Sequence, residues 1–294
     1  MDVIYWDHYY NKYILVNLLI VVGVFISLKW CAGMITHVKS FDELSRKDNP
    51  AFGISLAGAM VAITIMLGGA VYGSPENNLI HSLLAVAGLG VLGIGMMAVT
   101  RFIFDKFILS NLSLRDEIIG GNKAVAIADA ANALAAGIII YTVMIWVPTY
   151  TVEAFMTLIG GYIISQILLT GLTVLRMKLI KKANQEHCLQ TQLGKGNIAV
   201  ALRFGGQKIG AALAMATAAH MVAYDEYSTL SILGGWLLGS VIVLVAWEVF
   251  VILAQKAILF KIDLDDEVIN QENSAVGVMQ AAIFIAVAML ISQL

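Results

Sequence analysis

Long apolar segments recur along almost the whole chain, and they constrain the fold more than any other feature. Each is close to the roughly 20 residues that a helix needs to cross a bilayer. The chain is 60% hydrophobic and 13% charged, with a mean hydropathy of +0.84, unlike ordinary soluble domains. Because only helices satisfy the backbone of such segments in lipid, the sequence predicts an all-α, polytopic membrane protein. Eight transmembrane helices are expected, at about residues 13–35, 51–73, 79–103, 123–146, 154–176, 198–223, 229–254 and 274–293.

Basic residues are unevenly distributed between the two sides of this predicted bundle. Fourteen lysines and arginines fall in or beside the loops that follow the odd-numbered helices, whereas the opposite side holds only Lys12. Cytoplasmic loops carry the excess of Lys and Arg in membrane proteins. We therefore expect these loops to face the cytoplasm and both termini to lie outside it.

The sequence gives little support to an enzyme, a metal site or a cofactor site. Cys31 and Cys188 have no metal-type Cys/His spacing, and the G-x-G-x-x-G run that begins at Gly88 lies inside an apolar segment. There is no H-E-x-x-H motif and no nucleophile–base pair. We expect no enzymatic activity, no metal, no cofactor and no nucleic-acid partner.

A short pattern recurs at four predicted cytoplasmic helix starts. Each start reads N-x-A, with Ala or Gly two residues further on, as in "GNKAVAIADAANA" and "GNIAVALRFGGQK". Asn is among the best residues for capping a helix N-terminus, so we expect capping by all four asparagines. They are Asn49, Asn122, Asn197 and Asn273. A minority alternative is that the four helix N-termini together attract an anion.

An Asp-Glu pair precedes three of the four asparagines, beginning at Asp42, Asp116 and Asp266, while the third unit has only Glu186 at a longer distance. "DKFILSNLSLRDEII" also aligns without gaps on "QKAILFKIDLDDEVI", 150 residues further along. The sequence therefore predicts two pseudo-symmetric four-helix halves, residues 1–150 and 151–294. Each half would consist of two parallel-repeated helix hairpins.

This combination of D-E-L, N-x-A-x-[AG] and a small-residue helix resembles the YjfL-like family of bacterial inner-membrane proteins, catalogued as a domain of unknown function. Typical members have four helices with two N-x-A starts, so the resemblance implies a tandem duplication over nearly the whole chain. It also implies a multi-pass location in the bacterial inner membrane. The family has no agreed biochemical activity, so the resemblance predicts architecture more than function.

Charged side chains lie inside several predicted spans, where a central charge costs roughly 2.5–3.5 kcal/mol and usually marks a pair or a pathway. Asp129 and Arg203 lie at nearly equal depth in helices of opposite halves, so we expect them to form an ion pair. Lys208 is expected to face a polar interior, with Glu248 as a candidate partner. The candidate binding or translocation residues are Asp129, Asn132, Arg203, Gln207, Lys208 and Glu248.

Two functions stay open at this point. The first is binding or translocation of an ion or small polar solute through a polar cluster between the two halves. The alternative is a membrane scaffold or envelope-stress component that recruits partners through its cytoplasmic loops. Expected contacts are with the lipid bilayer, and further partners would be a second copy of the chain or a cytoplasmic or membrane protein.

Overall fold

The computed structural model of the protein describes residues 18–19, 22–23, 40–72, 79–147, 151–183, 187–224 and 228–293. These ranges are helical, with turns and short connections and no strand among them. The helices are α1 (Pro50–Tyr72), α2 (Leu79–Ile103), α3 (Leu114–Ile119), α4 (Lys123–Trp146), α5 (Val152–Ala183), α6 (Leu189–Gly194), α7 (Ile198–Ala216), α8 (Ala218–Met221), α9 (Thr229–Ile258) and α10 (Ser274–Ile291). Three π-helical turns are also present, at Asp42–Arg46, Phe104–Ile108 and Asp266–Asn270.

Six helices in the described ranges are long and apolar enough to cross a membrane. They are Pro50–Tyr72, Leu84–Ile108, Lys123–Trp146, Val152–Lys178, Thr229–Ile258 and Ser274–Ile291. These segments correspond to six of the eight predicted spans and identify the chain as a membrane protein. The predicted first span, 13–35, lies outside the described residues apart from two short pieces.

The predicted span 198–223 differs from the expectation of one continuous apolar helix. Helix α7 ends at Ala216, Thr217 caps its end, and the short helix α8 follows. Arg203, Gln207 and Lys208 lower the hydropathy of α7, so this helix is not among the six apolar candidates. The count of eight transmembrane helices therefore stays a prediction.

The helices that follow the four asparagines, which we call the N-x-A helices, pack side by side in chain order. Helix α1 packs on α4, α4 on α7, and α7 on α10. The backbones approach so closely that side chains are excluded: a Cβ on Gly58 would lie 2.3 Å from the Cβ of Ala130. A Cβ on Gly277 would likewise lie 2.6 Å from the carbonyl oxygen of Ala199. The small-residue runs in the sequence thus serve close helix packing.

The preceding helix of each hairpin contacts two N-x-A helices. Helix α2 contacts α1 and α4, α5 contacts α4 and α7, and α9 contacts α7 and α10. Each of these helices therefore reinforces the junction between two successive N-x-A helices.

Two apolar clusters fill the interior. One surrounds the first turns of the N-x-A helices, at what we call the Asn end, where the rings of Phe104 and Phe204 stack at 6.0 Å. The other fills the rest of the bundle and includes Trp146 and Trp236, whose ring centroids are 4.3 Å apart. Polar side chains that lie among these clusters are the candidates for function.

Candidate functional site

The four asparagines occupy equivalent positions at the Asn end, and Asn197 shows their role most completely. Its Oδ1 accepts a hydrogen bond from the backbone N–H of Val200, 3.0 Å away, and so caps α7. Its Nδ2 donates to Oε1 of Gln192 at 2.9 Å and to the carbonyl oxygen of Val268 at 3.0 Å. One side chain thus caps a helix and joins two successive repeat units.

The same pattern recurs in the first two units. Nδ2 of Asn49 donates to Glu43 and to the carbonyl of Ile118, each at 3.0 Å. Nδ2 of Asn122 donates to Glu117 at 2.7 Å and to the carbonyl oxygen of Leu193 at 2.9 Å. Both asparagines also accept from backbone N–H groups of the helix that they begin. In each case the amide binds a carbonyl of the following unit.

These contacts explain the Glu of the repeated Asp-Glu pair. The Glu of each pair accepts from the asparagine amide, as Glu267 does from Asn273 at 2.7 Å. In the third unit Gln192 takes this place, five residues before Asn197, so the missing acid is replaced by a neutral acceptor. The residue before each asparagine has a left-handed backbone, with φ of 47° at Asp48, 86° at Gly121 and Gly196, and 53° at Glu272.

Glu43 is the most buried of these acceptors, with 1% of its surface exposed. Burial opposes its ionisation, but hydrogen bonds from Lys47 and Asn49 outweigh this effect, so the pKa of Glu43 lies below its ordinary value of 4.5. The carboxylate is therefore held in its charged form at the Asn end.

The first intramembrane charge, Asp129, belongs to a cluster between α1, α2 and α4. Its carboxylate accepts from the hydroxyl of Ser55 and pairs with Arg101, whose Nη2 is 3.0 Å from Oδ2. Asp129 and Ser55 are buried, whereas 45% of the Arg101 side chain is exposed. Asn132, one turn further along α4, is also buried.

Arg203 does not take the expected partner. Its Nη1 lies 2.9 Å from Oδ1 of Asp265, which is in the connection before the Asp266–Asn270 turn. The prediction of an ion pair between Asp129 and Arg203 is therefore wrong. Equal depth along two helices says nothing about which way each side chain points around its helix, and Arg203 points toward Asp265 within its own half.

Arg203 instead lines a pocket between α5 and α7, together with Lys208, which is 5% exposed. The pocket has a volume of about 50 Å³. Its polar lining consists of Thr173, Arg176, His187, Arg203, Gln207 and Lys208. We call it the Lys208 pocket. All its lining residues lie between Leu169 and Ile269, so it belongs to the second half and not to the interface between halves.

Glu248 binds Arg176, not Lys208 as expected from the sequence. The guanidinium of Arg176 also lies 6.0 Å from the ring centroid of Trp247, within the range of a cation–π contact. Within the described ranges, Glu248 and Asp265 are thus paired with Arg176 and Arg203, and Lys208 has no ion pair.

Sequence reasoning missed Arg101 and Arg176, which it assigned to loops. Both lie inside helices, and each precedes the asparagine of its own unit, Asn122 or Asn197, by 21 residues. This equal spacing was a signal that the two arginines belong to the repeat.

Three of the polar side chains that line the Lys208 pocket are cations, namely Arg176, Arg203 and Lys208. Two of these cations have carboxylate partners, and Lys208 has no ion pair among the described residues. A buried charge without a partner is costly, so an anion that enters the pocket would be stabilised. The described residues contain no cluster of His, Cys, Asp or Glu suited to a metal ion.

Comparison with known proteins agrees with the predicted duplication. A family model described as Domain of Unknown Function (DUF350) matches residues 6–144 and, a second time, residues 150–294. These two matches confirm the resemblance inferred from the N-x-A and Asp-Glu patterns. Neither a curated protein nor a solved structure matches the chain.

Proposed function

The chain belongs to the family described as Domain of Unknown Function (DUF350), carrying its domain twice, and we propose that it binds a small anion in the Lys208 pocket. Binding there would be the first step of ion or small-solute translocation. The observation that carries the proposal is Lys208 itself, a buried cation beside two paired arginines and without an ion-pair partner among the described residues.

Electrostatics favours an anion over a neutral solute. Arg176 and Arg203 pair with Glu248 and Asp265, whereas no described carboxylate balances the charge of Lys208. In surroundings of low dielectric constant, an ion pair formed here is much stronger than one in water. Gln207 and Thr173 add polar groups to the lining.

The size of the pocket limits the ligand. About 50 Å³ suffices for a few water molecules or one small inorganic anion.

His187 and Leu189, in the connection before and at the start of α6, line the pocket and belong to the Asn end. If the basic loops face the cytoplasm as expected, the anion would enter from that side.

The test is anion-dependent stability of the full chain purified in detergent. Melting temperature is measured in sodium chloride and in sodium gluconate at equal ionic strength, because gluconate is too large for the pocket. Chloride at a hundredfold excess over its dissociation constant would stabilise the fold by about 2.7 kcal/mol. We expect this difference between the two salts to be lost in Lys208→Gln.

Lys256→Gln is the matched control, because Lys256 is exposed near the end of α9 and lies outside the pocket. This variant should keep the full difference between chloride and gluconate. Equal melting in the two salts for the wild-type chain, or a chloride effect that persists in Lys208→Gln, would refute the proposal.

A further inference from the structure

The three junctions between successive N-x-A helices use the same positions. The ninth residue after the asparagine of one unit faces the eighth residue after the asparagine of the next. The facing pairs are Gly58 with Ala130, Ala131 with Gly205, and Gly206 with Ala281. Added glycine Cβ atoms would lie 2.3, 3.1 and 2.7 Å from the alanine Cβ atoms of these pairs, respectively. One interface is therefore repeated three times within the chain.

The corresponding face of the last N-x-A helix, α10, is exposed at the equivalent positions. The second residue after the asparagine is fully buried in the first three units, at Ala51, Ala124 and Ala199. Its equivalent in the fourth unit, Ala275, is exposed. Ala282 and Ala286, which follow Asn273 by nine and thirteen residues, are exposed as well. Helix α10 thus has the residues of a further junction, and no described N-x-A helix packs against them.

The first N-x-A helix presents the complementary face. Ala57 follows Asn49 by eight residues, as Ala130, Gly205 and Ala281 follow their own asparagines, and it is exposed. Small residues on a membrane helix permit close helix contact. The surface that fits α10 is therefore present on α1 of the same sequence.

At the Asn end, hydrogen bonds also join each unit to the next. The asparagines of the first three units donate to carbonyls of Ile118, Leu193 and Val268, whose side chains are 4%, 0% and 0% exposed. The equivalent residue in the first unit is Leu44, directly after Glu43, and it is 40% exposed. For Asn273, the described residues show its amide donating to Glu267 and to no carbonyl of another unit.

We propose that a second copy of the chain docks head to tail, with its α1 and its Asp42–Arg46 turn against α10 of the first copy. Ala57 of the second copy then lies against Ala282, and the carbonyl of its Leu44 accepts from the amide of Asn273. The contact continues the interface that already joins the four units. Because the two faces differ, the association is heterologous and extends into a ring or an open row.

Cysteine cross-linking in native membranes tests this arrangement. Two differently tagged copies, each with Cys31→Ser and Cys188→Ser, are co-expressed, one carrying Ala57→Cys and the other Ala282→Cys. Mild oxidation should give a mixed disulfide dimer that carries both tags. Ala131→Cys with Gly205→Cys in a single chain is the positive control, because that pair is the internal equivalent.

Val278→Cys in place of Ala282→Cys is the matched negative control, since Val278 is on the same helix and is 50% exposed. The mixed dimer should form several-fold more with Ala282→Cys than with Val278→Cys. Equal yields would overturn the proposal. Preferential cross-linking of two copies that both carry Ala282→Cys would also overturn it, because that product requires a symmetric contact.

Discussion

Ser55 and Asp129 form the most buried polar contact between the first two units, and their coupling can be measured. Loss of a hydrogen bond to a charged group costs about 1.5–3 kcal/mol. We expect Ser55→Ala to lower the free energy of unfolding by this amount in the wild-type chain and by much less in Asp129→Asn. Unfolding of the four variants of this cycle in mixed micelles gives the coupling energy.

Arg203→Gln provides the control for that cycle. Arg203 binds Asp265 and not Asp129. The effect of Arg203→Gln on the free energy of unfolding should therefore add to that of Asp129→Asn. A coupling between Arg203 and Asp129 as large as that between Ser55 and Asp129 would contradict the observed partners.

Glu43 makes the stability of the Asn end depend on pH. The pKa of Glu43 is lowered in the folded chain. Its contribution to the free energy of unfolding is therefore complete above the ordinary pKa of 4.5, and it is lost as pH falls through the lower pKa of the folded state. Glu43→Gln keeps an acceptor for Asn49 and removes the titration, as Gln192 does naturally in the third unit. Melting temperatures between about pH 6 and about pH 3 should therefore fall less steeply in this variant than in the wild-type chain. Identical pH profiles would exclude a role for the Glu43 charge.

Some of these contacts are predictable from the sequence and others are not. The asparagines were recognisable because they recur four times at one position in a motif with a known capping chemistry. The Asp-Glu pattern does not predict Gln192, because glutamine is not an acid, although its distance of five residues from Asn197 equals that of Glu117 from Asn122. The partner of Arg203 was mispredicted because spacing along a helix gives depth, whereas an ion pair also requires the right direction around the helix.

Among the elements, the N-x-A helices depend on glycine at their contact face, and a matched pair of substitutions can separate packing from helix propensity. Gly206→Ala would place a Cβ 2.3 Å from the Cα of Ala281, so α7 and α10 must move apart. Overpacking of this kind costs about 1–3 kcal/mol. Gly88→Ala meets no atom within 4 Å and should gain about 1 kcal/mol from helix propensity. Thermal unfolding of the two variants should therefore shift in opposite directions.

Helix α7 is the element for which an apolar sequence pattern was least informative. Its small residues and its length predict a span. Its polar side chains make it less apolar than the six candidate spans, and it ends at Ala216. Arg203, Gln207 and Lys208 are accommodated because they line the Lys208 pocket, which neighbouring helices form. Such a pocket depends on the relative positions of α5 and α7, which hydropathy along a single segment does not contain.

For the whole molecule, the distribution of basic residues predicts its orientation in the membrane. In the sequence, fourteen lysines and arginines fall in or beside the loops that follow the odd-numbered predicted helices, against Lys12 alone in the others. We expect both termini to lie outside the cytoplasm. A reporter that is active only in the cytoplasm should be silent when fused after Leu294 and active when inserted beside Lys195. A strong signal from the C-terminal fusion would reverse this topology.

The side-by-side order of the N-x-A helices has a consequence for how the molecule opens. In a quasi-one-dimensional array each unit is stabilised by its neighbours, so terminal units open at lower free energy than central ones. Burial follows this rule: 67% of the apolar window is buried in α4, against 44% in α1 and 33% in α10. Amide hydrogen exchange of the monomeric chain in detergent should therefore be slowest in α4 and faster in α1 and α10. Equal protection in all three helices would instead indicate a single cooperative unit. The tandem duplication thus adds more than length, because it converts two terminal hairpins into interior ones.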